Sequence, residues 1–175
     1  GDGLAGIDDA GAMAEAMVIK TGEEKEPHWS EQAAGNIKGA LSYLLGRPND
    51  ERTFDALRHI LAVQKLRDDC AAAMARAGGI YARLAGVMLE PVKEEKSSVA
   101  SAIHTHTKFL DSPAILPSLA SGWDATEFLD GNTTVYFVLP PTQVENQSRY
   151  LRLVLSAVVR LVCDKGMAPG KEGLF

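Results

Sequence analysis

The side chains whose types and spacing are worth testing for chemistry are four histidines, a trio of serines, a cluster of acids and two isolated arginines. His104 and His106 stand two apart in helix-forming sequence, so they project to different sides of a helix. Zinc held on a helix wants ligands three or four apart, as in His-Glu-x-x-His. His28 and His59 stand away from any other histidine or cysteine at ligand spacing. All four read as helix-surface or partly buried histidines. Ser97, Ser98 and Ser101 lie near the paired histidines but without the strained turn that exposes a nucleophilic serine, so they read as capping and surface hydroxyls. Asp8, Asp9, Glu23, Glu24 and Glu26 lack the Asp-x-Asp-x-Asp-Gly loop that calcium uses, and read as a solvated face.

Phosphate chemistry is tested in the same way. A phosphate-cradling loop needs Gly-x-x-x-x-Gly-Lys-Ser/Thr, and no such run is present. Gly166-Met167-Ala168-Pro169-Gly170-Lys171 is glycine-rich with one lysine, but its spacing is that of an ordinary helix-to-strand connection. Arg149 and Arg152 differ, because they interrupt an otherwise apolar helix directly after an apolar run. Burying an arginine without a partner is costly. Either the two heads reach the surface on their long stems, which is the favoured reading, or they serve a carboxylate or phosphate from outside this stretch. No catalytic, cofactor-binding or metal-ligating residue is assigned.

Charge narrows the partners. The chain has 175 residues and a net charge of −5. Residues 1–31 alone carry −6, leaving +1 for the remainder. That is not the footprint of a protein gripping nucleic acid mainly by its phosphates. No apolar run approaches the roughly eighteen residues of a membrane span, and no basic–apolar leader opens the chain. Cys70 and Cys163 both sit among aliphatic residues, and two free, buried thiols point to the cytosol.

The elements that must position these residues are mostly helices, as abundant Ala and Leu with 6% aromatics imply. A first helix is capped by Asp8 or Asp9. A second opens at Pro27 and ends at Leu45, with Trp29, Ala33, Ile37, Ala40, Leu41, Leu44 and Leu45 as its apolar stripe. Thr53 caps a third, predicted to continue through Leu66. Asp68–Ala75 stops at Gly78-Gly79, Ile80–Met88 follows up to Pro91, and a long helix runs from Glu94 to Leu110. Short turns are predicted at 114–119 and 125–129. Then Thr133-Thr134-Val135-Tyr136-Phe137-Val138-Leu139 reads as a strand buried on both faces. Thr142 to about Asp164 is an all-round apolar helix, and Gly173-Leu174-Phe175 looks like the start of another strand. The expectation is a helical domain over residues 1–130, and over 131–175 a strand–helix piece of a larger α/β domain. The fold class is mainly α, with one or two short strands.

Four segments in order resemble the TraG/TraD-type coupling ATPases of type IV secretion and conjugation. Pro27-His28-Trp29-Ser30-Glu31-Gln32-Ala33-Ala34 resembles the family's aromatic-Trp helix opening, and Phe109-Leu110-Asp111-Ser112-Pro113 its Phe-Leu-Asp-Ser-Pro turn. Asp130-Gly131-Asn132-Thr133-Thr134-Val135-Tyr136-Phe137-Val138-Leu139-Pro140 resembles its Thr-Val-Tyr strand, followed at the family's spacing by Tyr150-Leu151-Arg152-Leu153.

The resemblance implies most of the all-α domain inserted in a P-loop ATPase domain, with the Walker A loop upstream and the Walker B strand starting near Phe175. It implies a cytoplasmic recognition domain at the inner face of the bacterial inner membrane. That domain would bind a relaxosome protein, another secretion substrate or DNA. ATP and magnesium belong to the parent ATPase; neither Walker motif is present, so no cofactor and no enzymatic activity are expected of this stretch. Single-stranded DNA is at most a weak partner, and no membrane contact is expected. A helical DNA-binding module and a self-associating helical adaptor are the competing readings.

Overall fold

Thr53 shows how the chain starts its helices. Its Oγ1 accepts a hydrogen bond from the Ala56 amide at 3.0 Å, and Asp55 adds negative charge to the same first turn. The computed structural model describes residues 2–19, 27–89, 95–120, 124–130, 132–144 and 147–165. In them the helices are α1 (Asp2–Met17), α2 (Pro27–Leu45), α3 (Phe54–Ala62), α4 (Gln64–Ala77), α5 (Gly79–Leu89), α6 (Lys96–Thr107), α7 (Leu116–Ala120) and α8 (Ser148–Lys165), joined in part by 3₁₀ turns.

Helix α2 is the axis of the assembly, with α1, α3, α4, α5 and α6 all packed on it. The predicted stripe is buried at Ala33, Ile37, Ala40, Leu41 and Leu44, while Leu45 is 40% exposed at the helix end. A second face is buried as well. It carries the small residues Gly35, Asn36, Gly39 and Ser42, along which α5 approaches. A Cβ at Gly35 would lie 2.5 Å from Val87 Cγ1, and one at Gly39 would lie 2.5 Å from Met88 Sδ. Glycine at these two places is what lets the helices close. The main core joins α1, α2, α3 and α6 with Leu153 of α8, and a satellite core of Cys70, Ala71, Met74, Ala85 and Met88 lies between α4 and α5.

The predicted third helix is divided. Helix α3 ends at Ala62 and α4 begins at Gln64, with Val63 extended between them. Buried Arg67 bridges the break, donating to the Leu61 carbonyl and to Gln64 Oε1. A cation on the orphan carbonyl of a helix end is favourable, and here it stands in for a continuous helix. Gly78 and Gly79 have φ of 74° and 59°, the left-handed conformation that turns α4 back along α5. The helix predicted from Glu94 to Leu110 tightens into a 3₁₀ turn at Lys108–Asp111, and α1 starts ahead of the predicted Asp8 cap.

The predicted strand at Thr133–Leu139 is not formed, and no strand occurs among the described residues. Tyr136 is 82% and Val138 88% exposed, the opposite of burial on both faces. A strand needs a neighbour for its ladder of hydrogen bonds, and β-forming side chains alone do not supply one. The second predicted strand, at Gly173–Phe175, and the loop at Gly166–Lys171 lie outside the described residues. Helix α8 begins at Ser148 rather than near Thr142 and packs on α1 through one side. Cys163, expected to be buried, is exposed on that helix, whereas Cys70 is buried as expected.

Candidate functional site

Helices α3 and α6 with the turn after α6 assemble a polar cluster around buried Arg58 and Thr107 that spacing along the chain did not reveal. Arg58 sits on the inward face of α3 between Leu57 and Leu61. Its Nε donates to Asp111 Oδ1 at 2.7 Å and one terminal nitrogen to Asp111 Oδ2 at 2.6 Å, a two-pronged ion pair. The other terminal nitrogen donates to Thr107 Oγ1 at 3.2 Å, and that hydroxyl gives its own proton to the Ile103 carbonyl at 2.7 Å. His104 Nδ1 lies 3.0 Å from the guanidinium. An arginine can only donate, so Nδ1 is the acceptor and the ring proton sits on Nε2. Hydrogen bonds from Arg58 hold the Asp111 carboxyl below its ordinary range, against the opposing pull of burial.

The guanidinium engages both Asp111 oxygens, the Thr107 hydroxyl and His104 Nδ1, and so ties α3 to α6 and to the turn after it. The signal available beforehand was Arg58 inside an apolar stripe, together with the aspartate of the Phe-Leu-Asp-Ser-Pro turn. His106, two residues from His104, points into the interior, where its Nε2 is 3.5 Å from Ser30 Oγ. The two histidines diverge as their spacing requires. No metal-capable group of His, Cys, Asp and Glu forms among the described residues.

The two singled-out arginines have different fates. Arg152 reaches the carbonyl of Val18 with one terminal nitrogen at 3.4 Å, tying α8 to the end of α1. Arg149 is half-buried, its Nε has no hydrogen-bond partner among the described residues, and burial lowers its pKa. Of the acid cluster, Asp8 is exposed and Asp9 pairs with Arg160 of α8 at 2.7 Å. Glu23, Glu24 and Glu26 lie outside the described residues.

Apolar hollows open on the surface of the described residues. One hollow of about 170 Å³ lies between α1 and α2, lined by Ala10, Met13, Leu41, Leu44, Leu45 and Phe54. A second, of about 380 Å³, lies between the start of α3 and α7, lined by Leu116, Pro117 and Leu119. Thr53 and Phe54 line both. A hollow of roughly 150 Å³ lined by aliphatic and aromatic groups holds a benzene ring, so each has room for a large side chain.

The family described as type IV secretory system conjugative DNA transfer matches residues 2–172. The chain belongs to that family and is a coupling protein of the TraG/TraD type. No curated protein and no solved structure matches it. No helix among the described residues is long and apolar enough to cross a membrane.

Proposed function

We propose that this chain is the substrate-recognition part of a conjugative coupling protein, binding a relaxosome or other secretion-substrate protein on the cytoplasmic side and turning over no ATP by itself. The observation that carries the reading is the family match across the packed helices of a sequence with no Gly-x-x-x-x-Gly-Lys-Ser/Thr run. Such helices offer surface for recognition, and without that run the backbone cradle for a nucleotide's phosphates is missing. ATP and magnesium are then the business of the parent ATPase. A division at about residue 130 between the recognition domain and the nucleotide-binding domain goes with this reading.

The test has two arms on the purified chain. Immobilised chain is expected to retain one or more of the DNA-processing proteins encoded with it, saturably and with micromolar or better affinity. ATP turnover is expected to stay at background; roughly one event per second or faster would overturn the non-catalytic assignment. A duplex or single-stranded DNA titration at two salt concentrations is expected to show little binding, because the acidic excess of residues 1–31 opposes it.

A further inference from the structure

We infer that a small hollow between α2, α4, α5 and α6 is a binding site for a monatomic inorganic anion of chloride's size. The inference is independent of the recognition reading above. The hollow measures about 20 Å³; Asn36 of α2, Gln64, Arg67 and Asp68 of α4, and Lys96 of α6 line it beside apolar side chains of α5 and α6. Since about 10–15 Å³ of such space holds a water, this hollow has room for one small ion and little more. Arg67 is 8% exposed, and both acceptors it reaches, the Leu61 carbonyl and Gln64 Oε1, are uncharged. No carboxylate pairs with that guanidinium among the described residues.

A buried charge calls for a counter-charge, which neutral acceptors do not supply. Burial accordingly lowers the Arg67 pKa, opposed by the Asp68 carboxylate nearby. Asp68 is linked to the guanidinium only through Gln64, whose Nε2 donates to its Oδ1 at 2.8 Å. Lys96 brings a second cation to the hollow, exposed and in no ion pair among the described residues. With Asp68 counted in full, Arg67 and Lys96 leave the lining one positive charge in surplus. Buried Asn36 adds a neutral donor: its Nδ2 gives one hydrogen to the Gln32 carbonyl at 2.9 Å and leaves the other for a ligand. Surplus positive charge and spare N–H donors select an anion, and the volume selects a single ion over sulfate or phosphate. Bound there, it would join α2, α4 and α6 by charge-assisted hydrogen bonds. Because the site exists only in the folded chain, the ion would also stabilise the fold.

The experiment titrates sodium chloride against sodium gluconate at constant ionic strength on the purified chain. Thermal melts and the quadrupolar NMR line width of the chloride are the two readouts. Wild type is expected to melt about 2–4 °C higher at saturating chloride. It is also expected to broaden the chloride line, with bromide competing and sulfate not. Lys96→Gln, a change at an exposed side chain, is expected to weaken chloride binding about threefold to tenfold. Arg67→Met is expected to abolish it; should that variant fail to fold by circular dichroism, Lys96→Gln carries the test. Lys108→Gln removes the same charge from an exposed position outside the hollow and is expected to bind chloride as wild type does. Melts and line widths indifferent to chloride assign the hollow to water and overturn the proposal. Equal weakening by Lys96→Gln and Lys108→Gln also overturns it, because general charge and not the site would then set the response. Sulfate competing as well as bromide overturns the single-ion class. Each of these outcomes leaves the recognition reading where it stands.

Discussion

Asp111 meets the buried guanidinium of Arg58 with both oxygens, and the consequence is a pH dependence of stability. The carboxyl is held below its ordinary value in the folded chain. Its contribution is therefore complete above the unfolded carboxylate pKa of about 4 and is lost as pH falls through the lower folded value. Asp111→Asn is expected to cost about 1–2 kcal/mol at pH 7, at the low end for a buried arginine partner because half of Asp111 is in water. Urea denaturation should show that difference shrinking below about pH 4, where wild type loses the same interaction. The cysteines give a second test. Burial pushes the Cys70 thiol up to about 12, while Cys163 is exposed. Iodoacetamide at pH 8 is expected to label one thiol per native chain, Cys163, and Cys70 only after unfolding. Buried Cys70 was legible from its aliphatic neighbours. Exposed Cys163 was not, because its neighbours on α8 are apolar but face outward at Leu155 and Val159.

Helix α2 shows what patterning conveys about an element. Its stripe at Ala33, Ile37, Ala40, Leu41 and Leu44 was readable from three-four spacing, and all five are buried. That α2 is enclosed on a second side was signalled by Gly35, Gly39 and Ser42, small residues that hydrophobicity alone scores as neutral. The glycines predict an ordered set of stabilities. Gly35→Ala is expected to destabilise by about 1–3 kcal/mol, because its Cβ meets the stiff branched end of Val87. Gly39→Ala should cost less, since Met88 can swing aside. Gly86→Ala, with nothing within 4 Å, should stabilise by about 0.5–1 kcal/mol through helix propensity. Thermal melts of the three variants check the order. Equal effects at Gly35 and Gly86 would mean that α5 does not approach α2 closely. The helix starts were legible where side chains cap them, as at Thr53. The break at Val63 was not, because it rests on Arg67 reaching back to the Leu61 carbonyl.

The assembly as a unit depends on how α8 meets α1, far apart in the chain. Among the described residues of α8 only Leu153 is fully buried, and Arg152 and Arg160 add contacts to Val18 and Asp9. Leu153→Ala is expected to destabilise the chain by about 2–4 kcal/mol, as a cavity in the common core does. Arg160→Ala should change stability by less than about 1 kcal/mol, its pair being partly exposed. A single cooperative urea transition shifted in midpoint by the first variant and hardly by the second is the expected record.

Helix-forming composition, apolar spacing and the Gly78-Gly79 stop belong to local physics, and by themselves they determined a mainly helical chain; the family was carried by the four segments that resemble the coupling ATPases. The missing Gly-x-x-x-x-Gly-Lys-Ser/Thr run is equally a property of the sequence. Tertiary structure decided the rest. It placed Arg58 against Asp111 and His104, opened apolar hollows on both α1–α2 and α3–α7, and left the β-forming run Thr133–Leu139 without a ladder. A helix is held by bonds between residues four apart, so its pattern is written locally. A strand, a long-range ion pair and a surface hollow each depend on groups brought together from distant parts of the chain, and their partners are settled only when it folds.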